Sequence, residues 1–170
     1  MNDLILLSLL IEGPKHGYRL KKEAAMLTMQ QQLHNNTVYP LLNRFLKDGL
    51  ITQRESDGER GQTRLLYELT SAGRKHLTER LAEFTESDAA NESAFRLRVG
   101  LFDLLDVATR RRILELRDKL LAEALERMSL IRKSHTMSGW PARSYDFVFS
   151  GLERERAWIA QLAAEIEPKP

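Results

Sequence analysis

The 170-residue chain has no cysteine, which excludes a disulfide framework, a thiolate nucleophile and a cysteine-ligated zinc site. Its four histidines, His16, His34, His76 and His135, lack metal-ligand spacing with one another or with Asp and Glu, so neither a metal nor a cofactor is expected. HExxH, Walker, GxGxxG and GxSxG patterns are absent as well. Carboxylates alternate with Lys and Arg, as in Glu115-Leu116-Arg117-Asp118-Lys119, where pairing between positions four apart accounts for them without catalysis. No enzyme is expected. Long apolar runs are missing too: none reaches the roughly 18 to 20 residues of a membrane span. Leu4 to Ile11 follows Asp3 and stops at Glu12-Gly13-Pro14, which suits a core helix rather than a signal peptide, and places the protein in the cytoplasm. Strong charge is also lacking. The net charge is +2, with 12 Lys and Arg against 10 Asp and Glu in residues 1–85 and 14 of each in residues 86–170. Phosphate affinity depends more on where cations lie than on such a sum. What is present, 42% hydrophobic and 29% charged residues, is a globular composition able to pack a core.

The chain is organised around Asn36 to Gly49. Val38, Leu41, Leu42, Phe45 and Leu46 recur at the spacing of one buried helical face, Asn36 suits an N-cap, and Gly49 suits the far end. The other face carries Thr37, Tyr39, Asn43, Arg44 and Lys47, with no carboxylate before Asp48. Such a face suits DNA, although a solvated surface helix has a similar composition. Pro40 removes an early backbone donor and points to a start one to three residues after Asn36, which favours Asn43, Arg44 and Lys47 as contacts.

Before this stretch, Leu4 to Ile11 forms a helix covered on several sides, and His16 to Leu27 a second helix with Leu20, Ala24 and Leu27 inside. With the opening stretch they make a helix-turn-helix. Leu50 to Glu55 and Thr63 to Leu69 read as two strands around an Asp57-Gly58 turn. Alone this is an ordinary hairpin; directly after a helix-turn-helix it reads as a wing. Thr70 caps a further helix with Leu77, Leu81 and Phe84 inward, and residues 85–92 read as a linker or loop. The domains are therefore expected at 1–85 and 86–170.

In the second half, Phe95 to Leu105 forms a short apolar helix, and Asp106 caps a long one running to Ser138. Its seam is Ile113, Leu116, Leu120, Ala124, Met128 and Ile131. After a turn at Gly139-Trp140-Pro141, a last helix carries Tyr145, Phe149, Leu152, Ile159, Ala163 and Ile166. The pair is expected to form an antiparallel hairpin too apolar to stand alone. It either folds back on the first domain or, preferably, makes a homodimer through these residues. Trp140, Tyr145, Phe147, Phe149 and Trp158 could line a pocket for a small aromatic effector, but core or dimer interface is the preferred reading. Arg110-Arg111-Arg112 is taken as solvated surface.

Leu4 to Leu10, Gly13-Pro14-Lys15-His16-Gly17-Tyr18-Arg19-Leu20, Thr37-Val38-Tyr39-Pro40-Leu41-Leu42, Leu46 to Ile51 and Arg64 to Gly73 resemble, in order and at matching separations, the N-terminal domain of PadR-family transcriptional regulators. Arg98 to Leu105 before the long helix resembles the C-terminal helical domain of the family's larger members. The resemblance implies a mainly α protein with a small β-hairpin wing, a winged helix-turn-helix followed by an α-helical dimerisation domain. It also implies bacterial origin and a repressor often relieved by a small molecule. Leu65 and Leu66 stand where the family's wing often has a basic and an aromatic residue, which leaves the wing less committed to phosphate.

The expected function is a homodimeric, sequence-specific DNA-binding regulator. Thr37, Tyr39, Asn43 and Arg44 would approach base edges or phosphates and Lys47 a phosphate. Lys15, His16 and Tyr18 would set the preceding helix on the backbone, and Arg60, Gln62 and Arg64 would touch the adjacent groove. A palindromic double-stranded operator with half-sites roughly 34 Å apart follows from dimerisation. The alternative is a protein-interaction module that uses the same elements without DNA.

Overall fold

A computed structural model describes residues 1–27, 35–57 and 63–166. The elements are α1 (Asn2–Leu9), β1 (Lys15–His16), α2 (Gly17–Leu27), α3 (Asn35–Lys47), β2 (Ile51–Asp57), β3 (Thr63–Leu69), α4 (Ser71–Ala82), α5 (Glu86–Ala90), α6 (Glu92–Val99), α7 (Val107–Ser134) and α8 (Gly139–Ile166), with a 3-10 turn at Phe102–Leu104. They form a mainly helical winged helix-turn-helix fold with further C-terminal helices. The chain divides into two compact units, 1–83 and 84–170.

In the first unit α1 is the central pillar. Leu4, Ile5, Leu6, Leu7, Leu9 and Leu10 are all buried, and α1 packs against both α2 and α4, so its apolar circumference is covered on several sides as its composition requires. Each such side chain contributes about 1.5–3 kcal/mol by leaving water. The sheet is antiparallel in the order β1-β3-β2. In β2 and β3 the register runs from Ile51 opposite Leu69 to Asp57 opposite Thr63, and Ile51 and Tyr67 face the core. The strand β1 is not foreseen by sequence, because two residues carry no periodicity; pairing of Lys15 with Tyr67 and His16 with Leu66 creates it.

The end of α3 is closed by a Schellman motif. Gly49 adopts φ +68, Gly49 N–H donates to Leu46 O at 3.1 Å, and Leu50 N–H to Phe45 O at 2.9 Å. Leu50 and Phe45 are both buried, which supplies the hydrophobic contact of the motif. The chain returns to the same point before α4: Thr70 N–H donates to Leu50 O at 3.0 Å, and the Thr70 hydroxyl donates to Gly49 O at 2.8 Å. The same hydroxyl caps α4 by accepting from Gly73 N at 2.9 Å. Gly73 is needed because a Cβ there would meet Leu50 O at 1.9 Å.

In the second unit α7 and α8 pack antiparallel around Ile113, Leu114, Leu121 and Ile159. Polar clamps fix their register. Arg117 reaches Glu155 through Nε and Nη2, both at 2.8 Å. Arg156 grips Asp118 at 2.7 and 2.9 Å, and this pairing holds the Arg156 guanidinium above its usual pKa. The Tyr145 hydroxyl donates to Met128 O at 2.9 Å. Asp106 caps α7 by accepting from Thr109 N at 2.7 Å; that bond holds its carboxyl below the usual range.

Several boundaries differ from the sequence expectation. Residues 85–92 are not a linker: Thr85 and Asp88 form a capping box that starts α5, and Asn91 caps α6 at once. Phe84 is not part of α4, which ends at Ala82; its ring lies 6.4 Å from that of Phe95. The apolar run from Phe95 is split between α6 and the 3-10 turn. The long helix α7 ends at Ser134, and Gly139-Trp140-Pro141 is the first turn of α8, where a proline loses no helical bond. The helix α3 begins at Asn35 and holds Pro40 inside it, so Asn36 is not its cap and the later start is not seen.

Candidate nucleic-acid interface

The face that α3 presents follows from what it buries. Val38, Leu42 and Phe45 are fully buried, against α2 and β2. At about 100° per residue, positions 36, 40, 43 and 47 then fall within about 60° of one another on the opposite side. Asn36, Pro40, Asn43 and Lys47 are all exposed, and they form the crest of the helix. Arg44 is exposed and Thr37 half-buried on one flank, where both border a shallow depression shared with Asn2 and Asp3 of α1. Tyr39 occupies the other flank, 41% exposed. A Cβ on Gly17 would stand 3.1 Å from Tyr39 Cε1 and 3.4 Å from Tyr67 Cε2. Glycine at the start of α2 therefore admits the Tyr39 ring. The Tyr67 phenol beneath is buried, and burial, then the neighbouring Tyr39, pushes its pKa up.

No acidic residue occurs in α3, and Arg44 and Lys47 lie in its last turn, where cations complement the helix dipole. Sequence reading missed Asn36 and Pro40 as crest positions. The helical wheel contains that signal once the helix is allowed to run through the proline.

Lys15 is a correction. It is buried, at 4% exposure, with Nζ 2.7 Å from Glu12 Oε2 and 2.7 Å from Glu23 Oε2; Arg19 binds the other oxygen of Glu23. Its ammonium is committed to two carboxylates and does not face a phosphate. Burial alone would lower its pKa, but the bonds to Glu12 and Glu23 outweigh burial and raise it. His16 is half-buried, and its Nδ1 lies 3.1 Å from Leu65 O, tying β1 to β3. Tyr18 and Arg64 are exposed, Arg64 opposite Ser56 in the hairpin register. Arg60 and Gln62 lie outside the described residues.

Among the seam residues, Ile113 and Ile159 are buried within this one chain and are corrected to core positions. Leu116, Leu120, Ala124, Met128, Tyr145, Phe149, Leu152 and Ile166 are half-buried, and Ala163 is exposed. Ile131 of the seam is exposed, and in this unit the largest apolar exposure lies at Trp140 (79%) and Phe147 (75%), with Leu130 and Val148 also open. The α8 aromatics do not gather round one cavity. Tyr145 stacks on Phe149, Trp158 meets Phe95 edge-on, and Arg143 covers Trp140; Phe147 and Trp158 border an open groove with Arg96 and Arg154. Among the described residues no group of three or more His, Asp or Glu could hold a metal ion, and no helix is long and apolar enough to cross a membrane.

Residues 6–79 match the model of the transcriptional regulator PadR-like family. An uncharacterized protein of Lysinibacillus sphaericus is 31% identical over 85 residues, 49% of this chain and 78% of that protein. A transcriptional regulator of Clostridium thermocellum is 33% identical over 48% of this chain and 79% of its own, with a TM-score of 0.44. PadR of Bacillus subtilis, solved in complex with operator DNA, aligns over 97% of this chain and 98% of its own at 16% identity, with a TM-score of 0.45. With residues 6–79 matched by the family model and a 31% identical relative covered over 78% of its length, the chain belongs to the PadR-like family of transcriptional regulators.

Proposed function

We propose that the chain is a cytoplasmic, sequence-specific DNA-binding repressor that acts as a homodimer on a palindromic operator. The observation that carries this reading is the carboxylate-free outward face of α3, which offers amides and cations from a helix of a size that enters a major groove. Asn43 and Arg44 address base edges, while Lys47, Thr37 and Tyr39 address phosphates or the groove wall. Tyr18, His16 and Arg64 approach the backbone, and Arg60 and Gln62 contact the adjacent groove. Lys15 has no place in this contact set.

Self-association uses the apolar side chains left uncovered on α7 and α8, Leu130, Ile131, Phe147 and Val148, together with the half-buried positions beside them, since a symmetric dimer is the commonest way to cover such a surface. A small aromatic effector would act on this second unit. The test is a gel shift with DNA upstream of the adjacent genes at two salt concentrations. Affinity that falls steeply with salt supports phosphate contact; an absent or salt-insensitive shift supports a protein-interaction module instead.

A further inference from the structure

The crest of α3 carries one side chain that general DNA affinity does not explain. Pro40 sits in the interior of the helix, at the middle of the outward face and exposed. Proline is the least favourable residue for a helix interior, because it has no N–H for the carbonyl four residues back and its ring crowds that carbonyl. Its ring also has no polar atom to offer a phosphate. What it offers is a rigid apolar surface on the outward crest of the helix.

Base edges in the major groove present donors and acceptors at every pair, and one apolar group, the 5-methyl of thymine. We infer that Pro40 reads a thymine directly, its pyrrolidine ring resting against that methyl, with Asn36 one turn before it and Asn43 one turn after it on the same crest. The two amides suit the N6 and N7 of adenine, so the crest as a whole favours an A·T-rich half-site core. This rests on α3 being the recognition helix.

The test uses the full chain. An operator is selected from random duplexes, and each thymidine in it is then replaced singly by deoxyuridine, which removes the methyl and keeps every pairing group. The expected result is one position per half-site where uracil weakens binding about four-fold, the effect of exposing one methyl. Pro40→Ala, whose lone Cβ covers less of the methyl than the ring does, should narrow the difference between the thymine and uracil forms there. Its melting temperature should not fall, because alanine restores the helical N–H. An operator without a methyl-sensitive position, or a Pro40→Ala protein that keeps the full difference, overturns the inference alone. A selection that yields no consensus overturns the recognition-helix reading and this inference with it.

Discussion

Gly73→Ala tests whether the close approach of α4 to the end of α3 holds the first unit together. The new Cβ would lie 1.9 Å from Leu50 O and 2.8 Å from Leu69 Cδ1, whereas such contacts are essentially never under 3.0 Å. Backbone must therefore open by about 1 Å. That carbonyl accepts Thr70 N–H at 3.0 Å, and this bond does not survive such a shift; the Thr70 hydroxyl proton has its shorter bond to Gly49 O. One hydrogen bond at about 1 kcal/mol and an overpacking strain of about 1–3 kcal/mol give a loss of about 2–4 kcal/mol. In a unit of this size each kcal/mol is worth about 4–8 °C in Tm. Gly49→Ala, at φ +68 with nothing within 4 Å, should cost about 1 kcal/mol. Gly100→Ala, at φ −63 with its nearest neighbours at 3.6 Å, should be neutral or stabilising by about 0.5 kcal/mol. Urea melts followed by far-UV circular dichroism give the order. A Gly73→Ala protein no less stable than Gly49→Ala would refute the packing argument.

Other expectations follow from the buried charges and the α7–α8 pair. Lys15→Met should cost about 2 kcal/mol in urea melts, less than for a fully buried pair because Glu12 is largely exposed, and should leave DNA affinity per folded molecule unchanged. Lys15, then Arg19, holds the Glu23 carboxyl below its usual range. The stability from that group is present above the unfolded value of about 4.3 and is lost as pH falls through the folded one; that from Lys15, whose pKa is raised, is present below about 10.4 and is lost as pH rises through the folded value. The wild type should thus lose stability on both flanks, and Lys15→Met should flatten both in pH-dependent melts. Arg117→Met leaves Glu155 and the Ala89 carbonyl without their partner and should cost about 3 kcal/mol. Ile159→Glu should unfold the second unit, whereas Phe147→Glu should keep the fold and shift sedimentation toward monomer; a Phe147→Glu dimer of wild-type affinity would move the interface elsewhere.

The helices of the first unit were legible because apolar spacing, Gly49 and Thr70 are local signals, although Leu27, expected inside with Leu20 and Ala24, is exposed at the end of α2. The α3 start was not, since Pro40 argues locally for a break that tertiary burial of Val38 and Leu42 overrides. Lys15 looked like a surface cation because sequence does not reveal that Glu12 and Glu23 converge on it. The α5 capping box was readable in Thr85 and Asp88, but the polar, apolar-poor run from Thr85 to Glu92 masked it as linker or loop. In the α7 and α8 seam, periodicity identified apolar faces without telling which side is covered by the neighbouring helix. Ile113 and Ile159 therefore looked equivalent to positions that remain partly open.

The central claim is that the outward face of α3 reads DNA, and the direct measurement is the Kd of wild type, Asn43→Ala, Arg44→Ala and Lys47→Ala for a selected operator between about 50 and 200 mM salt. Asn43→Ala should relax preference at one base position by about 1–3 kcal/mol. Lys47→Ala should weaken all sequences alike and reduce the salt slope by about 1, and Arg44→Ala should relax preference at a second base position. Wild-type affinity, selectivity and salt slope in all three variants would contradict the account.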